Sequence, residues 1–584
     1  MKEAFSVETL HPLTKLLLEK RGIKEIKDIE DFLFPSYEKH IGDPFDIYGM
    51  DVAVKRVIDA IKLEEKIAIY SDYDCDGIPG GVLLRTFFDD IGYSALIYVP
   101  HRHNEGYGIN TDALDKLKSA GVSLIITVDL AITNIDEVAY AKSIGIDVIV
   151  TDHHLPIHKD GGGQVVPNAV SVINSKQDMC TYHDDMLCGC AVAWKLVCAL
   201  LYELKKNKTK KGKLSEVIKT VSGFKEGYEK WLLDLVGIST ISDMVPLQKE
   251  NRALAYFGLK VLRQTKRHGL NQIFRMQKVS KENLTEEDIA FTIAPRINAA
   301  GRMGDPIQAH HMLYEKDSVK AQGYVEDLEA MNMERKESVK DITGAIDFNS
   351  LRPSRESADS DVVAVGDLSW GPGILGLVAQ KIIDETGKPT FVWGQGDDKT
   401  TVKGSCRSKG EVHVVELMTK VQDMFPGIIT HSGGHEQAGG FSCTLDRVDE
   451  LSHALNEAYK HILVKQIADE TFVPDTELTF DDITLTTHNA VDILAPFGVG
   501  NPKPLFAFTN VVAQSVRWFG KKGEHLEVIY ERKATPFAPM KAIIFFASKD
   551  LEEKAKKPHT LLAHLEKSYF GGKMELRLRI KDIV

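Results

Sequence analysis

Asp72-Tyr73-Asp74-Cys75-Asp76-Gly77 sets three carboxylates on alternate positions directly after the apolar run Ile67-Ala68-Ile69-Tyr70. Further on, Asp152-His153-His154 follows a second run, Ile146-Asp147-Val148-Ile149-Val150, and between them Leu124-Ile125-Ile126-Thr127-Val128 leads into Asp129. Open α/β sheets place their ligands at the C-terminal ends of such buried strands. Three strand ends that deliver Asp, Asp and Asp-His-His to one sheet edge predict a metal site suited to hydrolysis. Carboxylates bind hard divalent cations, and an added imidazole shifts preference from magnesium towards manganese or another first-row metal. These residues supply more ligands than one ion needs. Asp243, in Ile241-Ser242-Asp243-Met244-Val245-Pro246 at the end of an apolar helical pattern, is a further candidate. Two ions about 3.5–4 Å apart, sharing a carboxylate and a water, would make a nucleophile at neutral pH and clamp an in-line phosphoryl displacement. A lone Asp is more often a helix cap or turn former, but that reading does not account for three acidic strand ends in one domain.

The elements that must position these groups follow from hydrophobic periodicity. From Asp51 the pattern alternates helix and strand as in a parallel α/β sheet, with strands expected over 66–71, 95–99, 123–128 and 147–151. Val82 to Phe88 and Ala113 to Ala120 carry helical spacing. From Leu187 to about Asp347 the chain reads as mainly helical, and Ser350 to Ser360 is the best linker candidate. A second α/β unit follows, with strands near 362–366 and 390–393 around a helix starting near Gly373. It ends in a Gly-rich run, Gly433 to Phe441. After about residue 470, short strands and turns predict a small β-barrel.

The whole chain sets outer limits. Its 584 residues exceed a single core and predict three or four domains. A hydrophobic fraction of 43% with 27% charged residues is that of a soluble globular protein. No run is long enough to span a membrane, and the first residues have no apolar signal region. Seven scattered cysteines favour a reducing compartment, so a cytoplasmic location is expected. The net charge of -12 argues against coating nucleic acid by bulk charge, although a local basic groove remains compatible with it.

Together, the Asp72 segment, Asp129, Asp152-His153-His154 and Asp243 resemble the four motifs of the DHH phosphoesterase superfamily. Further segments are similar to its single-strand-specific 5′→3′ exonuclease branch. They are Pro100-His101-Arg102 with Glu105-Gly106-Tyr107-Gly108, Ala294 to Arg302, Gly404-Ser405-Cys406-Arg407, Gly433-Gly434-His435 and Pro496 to Pro502. The resemblance implies a parallel-sheet DHH domain (51–250), a helical connector (251–349), a DHHA1-type α/β domain (350–465) and an OB-fold barrel (466–584), after an N-terminal helical segment (1–50). It also implies roles. Asp72, Asp74 and Asp76 would hold one metal face, Asp129 would bridge, and His153 with Asp243 would complete a second shell, the ions being Mn2+ or Mg2+. Asp152 would orient His153, and His154 would face the scissile phosphate. The chain departs from the family beside the bridge, carrying Leu130-Ala131 where relatives usually have Cys-Gly.

Arg102, Arg296 and Arg302 are expected in Gly- or Pro-punctuated loops, where guanidinium groups can engage phosphate bidentately. Ser405 and Arg407 resemble a 5′-phosphate pocket, and His435 lies in a Gly-rich turn whose amides can approach phosphate. In the barrel, Phe506, Phe508, Trp518 and Phe519 beside Lys521, Lys522 and His525 are candidates for base stacking, against the commoner role of aromatics in a barrel core. Cys188-Gly189-Cys190 with Cys180 has only a superficial zinc-like spacing, because this segment starts an apolar helix.

The expected activity is metal-dependent 5′→3′ degradation of single-stranded DNA to mononucleotides in recombination and repair. The expected protein is a monomer that acts on strands with a 5′ end, with a helicase or single-strand-binding protein as possible partner and no membrane association. Two alternatives stay open: a phosphodiesterase of the same superfamily on short oligonucleotides or cyclic dinucleotides, and a non-catalytic single-strand-binding replication factor.

Overall fold

The computed structural model describes residues 7–158, 162–351, 361–396, 398–465, 472–520, 522–534, 538–570 and 573–584. The chain divides into two compact units. One comprises Asp43–Asp243 with Gly258–Asp469; the other comprises Met1–Gly42, Met244–Phe257 and Glu470–Val584.

The larger unit opens with a parallel sheet of five strands: β1 (Lys66–Ser71), β2 (Ala95–Tyr98), β3 (Val122–Val128), β4 (Asp147–Thr151) and β5 (Ser171–Ile173), in the order β2-β1-β3-β4-β5. Ile67, Ala68, Ile69, Leu124, Ile125 and Ile126 are fully or almost fully buried, which is why these strands read as continuous apolar runs and not as alternation. The first four strands lie where periodicity predicts them. The fifth is only three residues long, too short to leave a pattern.

Register carries the strand ends to one level. Beyond the last paired residues, the Asp72 amide donates to the Val128 carbonyl (3.1 Å), Asp129 to Thr151 (3.0 Å) and Asp152 to Ile173 (3.1 Å). Each acid thus extends the ladder by one residue onto its neighbour. All three leave the sheet at its C-terminal edge.

Helix α1 (Gly77–Asp90) leaves the acidic loop, and α2 (Gly189–Lys206) and α3 (Leu233–Ser242) pack against it. The connector includes α4 (Ala294–Met303) and the long α5 (Ser318–Ala345), whose N-terminus is capped by the Asp317 carboxylate on the amides of Val319 and Lys320. The linker predicted over 350–360 lies mostly in 352–360, outside the described residues.

A second sheet of five strands follows: β6 (Val363–Gly366), β7 (Thr390–Gln395), β8 (Thr401–Arg407), β9 (Ile429–Gly434) and β10 (Ala438–Thr444), ordered β9-β10-β8-β7-β6. Helix α6 (Leu375–Thr386) covers one face through Leu375, Val378 and Ile382. The other face is covered by helices Val414–Met424 and Leu451–Tyr459.

In the smaller unit, seven strands form an open sheet: β11 (Thr476–Glu477), β12 (Phe506–Val511), β13 (Ser515–Phe519), β14 (His525–Tyr530), β15 (Met540–Phe545), β16 (His559–Phe570) and β17 (Lys573–Ile583). Their order is β11-β12-β16-β17-β15-β14-β13. Phe506 and Phe508 are buried in the core of this sheet, so they are packing residues and not a stacking platform. Trp518 and Phe519 are half-buried, with the Trp518 indole donating to Glu552 at 2.6 Å; Lys521 lies outside the described residues. Leu13, Leu17, Leu18, Ile29 and Leu33 share this core. The N-terminal helices, read from the sequence as a separate segment, therefore fold with the C-terminal module.

Candidate metal centre

The loop after β1 folds around one carboxylate. Asp74 Oδ1 accepts the amides of Asp76 (2.8 Å) and Gly77 (3.2 Å), a local turn that starts α1. Asp76 points the other way and accepts the first amides of α2, from Gly189 (2.6 Å) and Cys190 (2.8 Å). The helix N-terminus holds the carboxylate by its free N–H groups and its dipole. Gly189 is required for a second reason: a Cβ there would lie 2.6 Å from the Asp129 Cβ. Cys188 and Cys190 are thus spaced by a helix start, and no cysteine belongs to a candidate ligand set among the described residues.

Three sets of ligand atoms converge: Asp72, Asp74 and Asp129; Asp76, His153 and Asp243; and Asp129 with His153 and His154. Asp129 belongs to two of them. His153 Nε2 lies 3.1 Å from Asp129, 3.6 Å from Asp243 and 3.7 Å from Asp76. The resemblance grouped Asp76 with Asp72 and Asp74; the structure brings it to His153 and Asp243, because the α2 amides turn it that way.

Asp152 serves a different ring from the one expected. Its Oδ1 accepts His154 Nδ1 (2.8 Å) and the amides of His153 (2.7 Å) and His154 (3.1 Å), while Oδ2 accepts the Ile132 amide (2.9 Å). Both oxygens are engaged by protein groups, so Asp152 orients His154 and is not itself free for a cation.

Charge in the site is unbalanced. Burial and then neighbouring carboxylates push Asp72 and Asp129 well above the usual carboxylate range, Asp76 up to about 6 and Asp243 up to about 9. Asp72 Oδ1, Asp129 Oδ1 and His153 Nε2 are buried without a hydrogen bond among the described residues. Burial lowers His153 to about 3, which leaves it neutral. Burial also opposes charge on His154, but the hydrogen bond and charge of Asp152 outweigh it and raise that imidazole to about 9. Unpaired oxygens, a neutral imidazole and mutually repelling carboxylates are the donor set of a hard or borderline divalent cation.

A cavity of about 260 Å³ opens over Asp72, Asp74, Asp129, His154 and Asp243, lined also by Tyr73, Arg102, Tyr107, Asn298 and Arg302. The Arg102 guanidinium sits over the Tyr73 ring, 4.9 Å from its centroid, and Arg302 donates to the Gly373 carbonyl at 3.0 Å. The Tyr107 hydroxyl lies 3.3 Å from His154 Nδ1, and Asn298 accepts the Cys75 amide at 2.8 Å. Sequence reasoning did not single out Tyr73, Tyr107 or Asn298 as site residues, although all three lie in segments that carry the resemblance. Arg296 and Arg302 lie on helix α4 and not in loops, and Arg296 is employed elsewhere, bonded to Glu329 (2.6 Å) and the Thr292 carbonyl (2.6 Å).

The second α/β sheet completes the surroundings. The His435 ring lies parallel to that of His154 with centroids 6.5 Å apart. Arg407 Nη1 lies 3.2 Å from Ser405 Oγ and donates to the Cys406 carbonyl at 2.8 Å. Both side chains face the start of α6, where Gly376 leaves space: a Cβ would fall 2.9 Å from Arg407 Nη2 and 3.1 Å from Ser405 Oγ.

Family models match this chain in the order of its sheets: the DHH family N-terminal domain over residues 66–221, the DHHA1 domain over 359–461 and the RecJ OB domain over 474–582. The chain belongs to the RecJ group of the DHH family. It is 34% identical to the single-stranded-DNA-specific exonuclease RecJ of Bacillus subtilis (strain 168) over 535 residues, which cover 90% of this chain and 63% of that protein. The corresponding RecJ of Haemophilus influenzae is 29% identical over 587 residues, covering 98% of this chain and 96% of the relative. This RecJ-family chain therefore spans less than two thirds of the first relative and nearly all of the second. Its fold matches the crystal structure of RecJ in complex with Mn2+ from Thermus thermophilus, with a TM-score of 0.76, 23% identity, and 98% and 76% of the two chains covered. A structure of exonuclease RecJ bound to manganese matches with a TM-score of 0.58 at 26% identity, covering 71% of this chain and 95% of the other.

Proposed function

We propose that this chain is a divalent-metal-dependent exonuclease that degrades single-stranded DNA from its 5′ end to mononucleotides, in DNA recombination and repair. The observation that carries the reading is the sharing of Asp129 between two ligand sets under a cavity walled by Arg102 and Arg302. Asp72, Asp74 and Asp129 would hold one cation; Asp76, His153 and Asp243, with Asp129 between, would hold a second. Manganese or magnesium suits these ligands. When bound, such ions supply an acidic water and neutralise the phosphate oxygens during in-line displacement.

The chain's own groups do the rest. His154, held charged by Asp152, has Nε2 left to donate to a phosphate oxygen. Arg102, which lines the same cavity, fixes that phosphate, and Arg302, among Arg102 and Arg407, reaches towards the terminal one. Ser405 and Arg407, at the N-terminus of α6, receive the terminal 5′-phosphate, where amides and guanidinium act together. A seat for the terminal phosphate gives the enzyme its direction, and the narrow cavity admits one strand. The names of the relatives support the substrate. We assign a cytoplasmic, monomeric enzyme that works with a helicase or a single-strand-binding protein; no described helix is long and apolar enough to cross a membrane.

A time course on 5′- and 3′-labelled single strands with manganese or magnesium tests polarity, strandedness and metal together. Mononucleotides released first from the 5′ label are expected. Release from the 3′ label, or a strong preference for a dinucleotide over a fifty-mer, would overturn the reading.

A further inference from the structure

Helix α5 buries a stripe at 321, 325, 328 and 332, the spacing of an apolar helix face. Its first members are Ala321, Val325 and Leu328, but the stripe then continues through Asn332, which is fully buried, and the partly buried Arg335. Neither Asn332 amide atom has a hydrogen bond among the described residues, and the buried Arg335 Nε has none. Polar groups at packing positions without partners are costly, so this pair is not explained by the fold.

Helix α5 packs along α4, so that a Cβ on Gly304, just beyond Arg302, would lie 3.0 Å from Met331 Cε, one turn before Arg335, and the charges there deepen the imbalance. Burial and the Arg296 charge lower the Arg335 pKa. Burial, Arg102 and Arg335 together bring Arg302 down to about 10, with Arg407 acting in the same sense. Arg296 is paired with Glu329, whereas Arg335 makes no ion pair among the described residues. One turn further along α5, Ser338, Asp341 and Ile342 line a cavity of about 520 Å³ whose wall includes Arg302 and His103. Asp341 is the carboxylate of that lining, and among the described residues it forms no salt bridge with Arg335.

We propose that Arg335 is a further substrate-binding residue that, with Arg302, engages the terminal 5′-phosphate shared with Ser405 and Arg407. The guanidinium groups of residues 102, 302, 335 and 407 repel one another until an anion arrives. A phosphodiester within the strand carries one negative charge, whereas a terminal phosphate monoester carries about 1.5–2 at pH 7. The terminal group therefore balances this cluster better than an internal one. Asn332, one turn before Arg335 on the same face, is placed to position the guanidinium.

The inference rests on the exonuclease reading, and its test is separable from cleavage. Affinity of the full chain for 5′-phosphorylated and 5′-hydroxyl single strands is measured in EDTA, where no hydrolysis occurs. Arg335→Ala is expected to reduce the preference for the phosphorylated end by about tenfold, the scale of a charge-assisted contact. Arg335→Lys, which keeps the charge without the fork, is expected to reduce it by about threefold and serves if the alanine variant does not fold. An unchanged end preference in the folded variants, with both strands weakened equally, overturns the proposal. Absence of nuclease activity in the unmodified chain, by contrast, overturns the parent reading, while the affinity ratio still decides the role of Arg335.

Discussion

Asp152 Oδ1 lies 2.8 Å from His154 Nδ1, and the same oxygen accepts the backbone amides of His153 and His154. One carboxylate thus shapes the turn and sets the charge of the ring beside the ligands. Because the His154 pKa is raised to about 9, its stabilising contribution is complete below the ordinary imidazole value near 6.5 and is lost as pH rises through about 9. Asp152→Asn removes the charge that outweighs burial. An NMR titration of the metal-free protein should then show His154 losing its proton below about 6.5. A midpoint still near 9 would show that some other group holds the proton.

Metal binding should release protons. Asp243 is raised to about 9 and Asp76 to about 6, so at about pH 7.5 Asp243 is protonated in the metal-free fold. For acids raised in this way, the contribution to stability is present below the unfolded value of about 4 and is lost as pH climbs through the folded values. Melting temperature in EDTA should therefore fall between about pH 5 and 9, and manganese should restore most at the alkaline end. Calorimetry in buffers of different ionisation enthalpy reads the released protons directly. Proton-free binding with pH-independent melting would contradict the charge assignment.

Asp129→Ala tests the shared position. Nuclease activity should fall at least about 10²–10³-fold, the scale seen when one preorganised electrostatic group is lost. Melting in EDTA should hold or rise, because a mutually repelling carboxylate has been removed. Near-normal turnover with manganese would remove Asp129 from the bridging role.

Gly376→Ala should act on the phosphate end alone. Its new methyl would lie 2.9 Å from Arg407 Nη2 and 3.1 Å from Ser405 Oγ, inside the space proposed for the terminal phosphate. Preference for 5′-phosphorylated over 5′-hydroxyl strands should drop by about tenfold. Equal loss on both would place the terminal phosphate elsewhere.

Ala131 occupies φ 93°, left-handed backbone that favours glycine, and φ at Asp129 is 63°. This is the loop where the chain carries Leu130-Ala131 in place of the family's Cys-Gly. Ala131→Gly should stabilise by about 1 kcal/mol, the relieved strain exceeding the extra unfolded-state entropy of glycine. A higher urea midpoint at unchanged slope checks it. A lower midpoint would mean that packing of the buried Ala131 methyl outweighs the strain.

The acidic strand ends were legible because buried parallel strands write themselves as apolar runs, and the residue after each run leaves the sheet. The hydrophobic pattern located β1, β3 and β4, and with them Asp72, Asp129 and the Asp152 turn. The ring to which Asp152 commits was not legible. Both histidines are adjacent in sequence, and only the turn after β4 decides which imidazole meets the carboxylate. Nor could spacing separate Arg296, paired with Glu329, from Arg302, which walls the cavity, since both lie on the same short helix.

By itself, the sequence determined the chemical inventory: which side chains end which strands, the α/β pattern and the family motifs in their order. Those features are local, arising from periodicity and from the conformational limits of a few neighbouring residues. The tertiary structure alone decided the grouping. Asp76 turns to His153 and Asp243 because the amides of α2, far along the chain, point at it. The N-terminal helices join the C-terminal core because their apolar faces are completed there. Arg335 becomes a candidate for phosphate contact only once α5 lies beside Arg302, because charge repulsion acts through space and not along the chain.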